Sequence, residues 1–206
     1  MVKLIFATAN PSKLKESRRI LRWICGDQIT ILSGVEAGVD QPAEVDEISP
    51  TFAGNAYLKA QAYLTPSSYP VLAEDTGLCI NCLGGKPGVK SNRWFAGTAH
   101  DRNQEVLRLM IETSDRSAYF TSVFCLLYPD RPQSPIYFTA YTYGSISDTK
   151  HGVGDQGFGY DPIFMPKGSD RTYAQMTGPE KDQYSHRAKA LRQLVDYLNL
   201  KAILKN

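Results

Sequence analysis

Lys3 to Ala7 is a short apolar run that stops abruptly at Thr8-Ala9-Asn10-Pro11-Ser12-Lys13, after which Leu14, Ser17, Leu21 and Ile24 recur at helical spacing. No other junction in the chain constrains the fold as tightly. A short apolar run of this kind reads as a buried strand. Asn10 is a natural helix N-cap, and Pro11 suits the first helical position because the amide it lacks would have no partner there. Strand, tight loop and helix start in that order predict an α/β architecture. The first amides of the helix and the positive end of its dipole point the same way, so the loop suits an anion.

The remainder alternates in the same manner. Ile29 to Ser33 reads as a second strand, and Thr51 as the cap of a helix carrying Phe52, Ala56, Ala60 and Tyr63 and ended by Pro66. Val71 to Ala73 and Leu78 to Ile80 read as two short strands flanking an acidic turn, Glu74-Asp75-Thr76-Gly77. A helix is expected near Asn103 to Glu112. Ser117 to Tyr128 and Ile136 to Ile146, rich in Phe, Tyr, Thr and Val, predict a long hairpin across a seven-residue loop with three prolines. The last third holds a glycine-rich loop, Gly152 to Gly159, and a helix that turns Ala188, Leu191, Leu194, Val195 and Leu198 to the core.

Length and charge narrow the class of protein. With 206 residues the chain suits one domain, 1–206, with a lobed outline. A chain of this size buries roughly 70% of its unfolded surface, enough for a core without staples. The net charge of +2 supplies no global attraction for nucleic acid or an anionic membrane, so neither is an expected partner. The N-terminus turns polar too soon for a signal-peptide core, and no run approaches the roughly 18 apolar residues of a membrane span. Of the four cysteines, only Cys79 and Cys82 form a C-x-x-C pair. The pair sits in an apolar stretch and lacks the second pair or the spaced histidines of a zinc site, so buried small hydrophobes are expected. A soluble, cytoplasmic, reduced protein is the resulting expectation.

Several familiar signatures fail. The phosphate-loop pattern ending in Gly-Lys-Ser/Thr is absent. Gly152-Val153-Gly154-Asp155-Gln156-Gly157 matches a dinucleotide fingerprint, but Pro162 blocks the helix that fingerprint requires. His100, His151 and His186 are too scattered to suggest a metal site. What remains are charges at the edges of apolar segments: Lys13 beside the anion-ready turn, the acids Asp46, Glu47, Glu74 and Asp75, and Lys181, His186 and Arg187 near the last helix. Carboxylates together with amides and cations suit a polyphosphate bound with Mg²⁺. Asp75 stands out, because the apolar residues on either side bury its surroundings and a charge there needs partners. Phe158 and Tyr160, in a glycine-rich loop, suit either a core anchor or a base stack.

Taken together, four ordered blocks resemble the inosine triphosphate pyrophosphatase family, the enzymes of non-standard purine nucleoside triphosphates. They are Phe6 to Lys13; Thr51 to Ala56; Glu74 to Leu78 with Leu83 to Val89; and Gly157 to Phe164 followed by Glu180-Lys181 and Ser185-His186-Arg187. The blocks span nearly the whole chain. The resemblance implies a triphosphate loop at Thr8, Ala9, Asn10, Pro11, Ser12 and Lys13, with Lys13 and Asp75 as catalytic residues. It places the metal, Mg²⁺, on Glu47 and Asp75. Its nucleoside positions fall on Thr76, Phe158, Gly159, Tyr160, Asp161, Lys181, His186 and Arg187. The implied reaction takes ITP, dITP or XTP and water to the monophosphate and pyrophosphate. The implied fold is an elongated α/β, mixed-sheet protein of two lobes with a central substrate cleft, and the implied assembly is a homodimer. Five positions depart from the family pattern: Glu74 replaces an aspartate, Thr76 a serine and Gly54 a common glutamate, and Asn92 and Trp94 alter the usual Ser-Ala-Arg-Tyr segment. A related Maf-type nucleotide pyrophosphatase and a non-catalytic nucleotide sensor are the competing readings, which a substrate panel separates.

Overall fold

The computed structural model describes residues 1–39, 45–64, 67–152 and 159–201. Strand β1 (Val2–Ala7) leads through the loop into helix α1 (Pro11–Cys25), as the cap and the proline require. β1 lies between β2 (Ile29–Leu32) and β3 (Val71–Ile80) and pairs with both in parallel, Val2 opposite Ile29 and Ile5 opposite Val71. Parallel strands covered on both faces need continuous apolar runs. Leu4, Ile5, Phe6 and Ala7 meet that need and are all buried.

The expected acidic turn at Glu74 to Gly77 is a correction. β3 is one strand of ten residues, buried from end to end, and both acids lie in its middle. Desolvation makes a turn the default place for adjacent carboxylates, and it loses that force where each finds a buried partner. The hairpin is corrected as well. β4 (Ser117–Tyr128) and β5 (Arg131–Ile146) are joined by Pro129-Asp130 alone, and Pro132 and Pro135 lie inside β5. β5 pairs with the next strand, β6 (Phe164–Pro166), only over Gly144 to Ile146, so among the described residues its first part is an edge. An edge tolerates proline because one side of the ladder requires no amide. Helix α3 (Ala99–Leu109) starts earlier than expected, where Thr98 and Asp101 form a capping box.

The six strands among the described residues follow the order β2-β1-β3-β4-β5-β6, and the chain divides into two compact units. The first comprises residues 1–75, 122–140 and 187–206. Alternation along its strands produces two cores. Leu4, Phe6 and Leu72 pack with Leu21 of α1 and with Leu191, Leu194 and Leu198 of helix α5 (His186–Leu200). Ile5, Ala7, Val71 and Ala73 pack on the other face with Ala56, Ala60 and Tyr63 of helix α2 (Phe52–Leu64). The second unit, residues 76–121 and 141–186, has its own core of Leu78, Phe120, Tyr160, Ile163, Phe164 and Tyr173 against Val106 and Met110. It also holds the short helix α4 (Gly178–Tyr184).

None of the four cysteines is disulfide-bonded, and Cys79 and Cys125 are buried. Cys82 is exposed rather than buried, because the chain leaves the sheet after Ile80 in a tight helical turn, Asn81–Leu83. No helix among the described residues is long and apolar enough to cross a membrane.

Candidate active site

On the α2 face of the first unit, two acids converge on one cation. Lys59 Nζ donates to Glu47 Oε1 at 2.8 Å and to Asp75 Oδ1 at 2.9 Å. Asn55 Nδ2 donates to Asp75 Oδ2 at 3.4 Å, and Asn55 Oδ1 accepts from the Ser49 amide at 2.9 Å. Asn55 and Lys59 stand one helical turn apart on α2, so they present donors to the same strand. The helix start is set by Thr51, whose Oγ1 accepts from the Gly54 amide at 3.1 Å, as the sequence predicts for a cap. A Cβ at Gly54 would run into Ser49 Oγ, which accounts for glycine where glutamate is common. Burial raises the Asp75 pKa, with Lys59 pulling against it. Burial would lower the Lys59 pKa, but Asp75 and Glu47 outweigh it and hold the ammonium charged.

Glu47 and Asp75, both expected to hold a metal, are therefore brought together. Two carboxylates meeting at one point form an oxygen-only donor set that suits a hard divalent ion. Among the described residues no group of three His, Cys, Asp or Glu side chains surrounds such a point. The two acids would supply only part of an octahedral shell, of the kind that phosphate oxygens complete, and in this structure the Lys59 ammonium stands between them. Sequence reasoning missed Asn55 and Lys59. Their signal was present, since each lies beside an alanine of the apolar stripe and hence at the margin of the buried face.

The opposite face of β3 carries a second charge cluster. Arg187 clamps Glu74 in bidentate fashion, Nε to Oε1 at 3.0 Å and Nη2 to Oε2 at 2.9 Å, while Nη1 donates to Glu16 Oε2 at 2.6 Å. Ser122 Oγ donates to Glu74 Oε1 at 2.6 Å, and Lys13 Nζ lies 3.5 Å from Glu74 Oε2. Burial would raise the Glu74 pKa, but Arg187 and then Lys13 outweigh it and hold the carboxyl well below the ordinary carboxylate range. Burial lowers the Lys13 pKa, with Glu74 acting against the shift.

The anion-ready loop holds one surprise. Asn10 Oδ1 accepts from the amides of Ser12 at 2.9 Å and Lys13 at 3.2 Å, and Thr8 Oγ1 accepts from the Asn10 amide at 3.1 Å. The amides expected to be open to a phosphate are therefore engaged by the loop's own side chains, which is what a strong N-cap does. The helix dipole and the Ser12 hydroxyl remain for an anion, and the Lys13 ammonium is held 3.5 Å from Glu74 Oε2. Ala9, Asn10, Pro11 and Ser12 are exposed.

The other expected nucleoside positions among the described residues belong to the second unit, where Thr76, Tyr160, Asp161, Lys181 and His186 are buried. Lys181 Nζ donates to Asp161 Oδ2 at 2.6 Å and lies 5.1 Å above the Tyr173 ring. The His186 ring stacks on Phe120 at 4.8 Å, nearly parallel to it. Tyr160 is a core anchor whose hydroxyl donates to Ser91 O at 2.8 Å. Gly159 O accepts from Asn103 Nδ2 at 2.9 Å, and the Thr76 hydroxyl donates to Thr121 O at 2.6 Å. Phe158 lies outside the described residues.

These charge clusters occur in a chain whose likeness to known proteins runs almost its full length. A dITP/XTP pyrophosphatase of Gluconobacter oxydans is 36% identical over 92% of this chain and 87% of that protein. A dITP/XTP pyrophosphatase of Streptomyces avermitilis is 38% identical over 95% of this chain and 96% of that protein. The structure of a HAM1 protein from Coxiella burnetii superposes with a TM-score of 0.82 at 34% identity, covering 97% of this chain and 99% of the other. Residues 4–197 match the Ham1 family, and with that coverage the chain belongs to it.

Proposed function

We propose that this chain hydrolyses the non-standard purine nucleoside triphosphates ITP, dITP and XTP to the monophosphate and pyrophosphate. The observation that carries the reading is the buried Asp75, which shares the Lys59 ammonium with Glu47, in a chain 36–38% identical over most of its length to proteins named for this reaction.

The chemistry follows from what each side chain can do. Water oxygen attacks the α-phosphorus, the bond from that phosphorus to the α,β-bridging oxygen breaks, and pyrophosphate leaves with the bond's electrons. Asp75 would take the water's proton, and a pKa raised by burial would make it a better base near neutral pH. Asn55 and Lys59 fix the orientation of its carboxylate. Lys13 and the positive end of α1 would hold the β- and γ-phosphates and stabilise the departing charge. A divalent cation, Mg²⁺ in this reading, would be held by Glu47 and Asp75 and would offset the charge on the triphosphate.

Base selection is assigned to the second unit. Inosine and xanthine bases present an oxygen at C6, where adenine presents an amino donor. A site offering donors there leaves adenine facing donor against donor, a mismatch that separates substrates by about 10⁴-fold. Lys181, His186 and main-chain amides near Gly159 to Asp161 are the candidate donors. Pairing of two copies is part of the same proposal, and a sedimentation measurement checks it.

Turnover of ITP in H₂¹⁸O tests the reaction. The label is expected in IMP, with pyrophosphate unlabelled. Label in pyrophosphate, or release of orthophosphate alone, would overturn attack at the α-phosphorus.

A further inference from the structure

Adjacent residues on a strand point to opposite faces, and β3 applies that rule to its two acids. Asp75 meets Asn55 and Lys59 of α2. Glu74 meets Arg187 of α5 and Lys13 of α1. The two carboxylates therefore have separate surroundings, and both Glu74 oxygens are already engaged by Arg187, Ser122 and Lys13. A third carboxylate for the divalent cation is not what this geometry provides.

We infer that Glu74 is a positioning residue: clamped by Arg187 and Ser122, it fixes the ammonium of Lys13 at the phosphate loop. The inference rests on the proposed function for the identity of the phosphates. Three features of the cluster carry it. Glu74 and Arg187 are almost entirely buried, so their bidentate pairing is shielded from water and fixed in direction. Ser122 also donates to Glu74 and Glu16 accepts from Arg187, which leaves the cluster little freedom to reorient. Lys13 sits in the first turn of α1 with its long side chain lying back toward Glu74, so its rotamer is set by a partner that is itself immobile. A lysine held this way keeps its direction before the phosphates arrive, which reduces the ordering cost of binding them.

Glu74→Gln tests this, because it preserves shape and removes the charge. The readout is calorimetric titration of the full chain with inorganic pyrophosphate and, separately, with IMP, both with Mg²⁺ present. Pyrophosphate affinity is expected to fall about tenfold or more, as for loss of a charge-assisted contact, with IMP affinity unchanged. In a Lys13→Met background the same substitution is expected to cause no further loss. Equal losses for the two ligands, unchanged pyrophosphate affinity, full additivity with Lys13→Met, or no pyrophosphate binding by the native chain would each overturn the inference. Glu74→Asp, which keeps the charge, is expected to recover most of the pyrophosphate affinity. Should Glu74→Gln fail to fold, Ser122→Ala leaves every charge in place; a few-fold loss for pyrophosphate alone supports the clamp, and no change overturns it. Because the readout is binding, a chain that turned over no ITP would defeat the proposed function and still leave Glu74 to be decided by these titrations.

Discussion

Asp75 shows how far single residues can be read. Its burial was legible, because apolar neighbours on both sides leave a carboxylate no route to water, and the structure leaves it 4% exposed. Its partners were not legible. Lys59 and Asn55 come from a helix whose rotation about its axis depends on packing that no local pattern encodes. Lys13 was identified from the loop, but the amides beside it were expected to be open, and Asn10 holds two of them. The same side-chain type that marks a helix start also occupies what the start offers. At this scale the account makes a direct claim about Asp75. Asp75→Asn keeps the volume and an acceptor for Lys59 but cannot take a proton. ITP turnover by this variant is expected to fall about 10³-fold, the usual scale for a lost general base, with a thermal midpoint close to the native one. Near-native turnover would remove Asp75 from the chemistry.

Elements were legible where their ends carry chemistry of their own. The cap at Asn10 and Pro11 placed the start of α1, and the apolar spacing of Ala188, Leu191, Leu194, Val195 and Leu198 placed the buried face of α5. β3 was read as two strands because adjacent acids look like a turn until their partners, distant in sequence, are known. The proline-rich connection was read as a loop because the edge position of β5 is a property of the sheet rather than of the segment. α4 offers a test of how much a cap contributes. Glu180 accepts from the Thr177 amide at 2.7 Å, and that bond, the Thr177 hydroxyl and Arg171 pull its pKa down from 4.5 to about 2. A carboxylate with a lowered pKa in the folded state adds stability that is complete above about pH 4.5 and is lost as the pH falls through about 2. Thermal unfolding of Glu180→Gln is expected to give a lower midpoint than the native chain at neutral pH. The two midpoints are expected to converge between about pH 4.5 and 2. The effect is small because the pair is exposed and screened. A constant gap across that window would show that the charge contributes nothing.

At the scale of the molecule, mixed α/β architecture follows from the alternation of runs and caps along the chain. The division into two compact units does not, because β3, β4 and β5 each pass from one unit to the other as continuous strands. Alternation within β3 then decides the chemistry of the whole first unit. It sends one carboxylate to α2, where a cation and an acid await it, and the next to α1 and α5, where two cations do. Function at this scale depends on discrimination, since ATP and GTP far outnumber damaged nucleotides in a cell. The most direct measurement is pyrophosphate release with Mg²⁺ from ITP, dITP, XTP, ATP, GTP and dTTP under identical conditions. Turnover is expected for ITP, dITP and XTP, with kcat/KM for ATP, GTP and dTTP lower by orders of magnitude. Comparable values for ATP and ITP, or nucleotide binding without turnover of any of the six, would contradict the assignment.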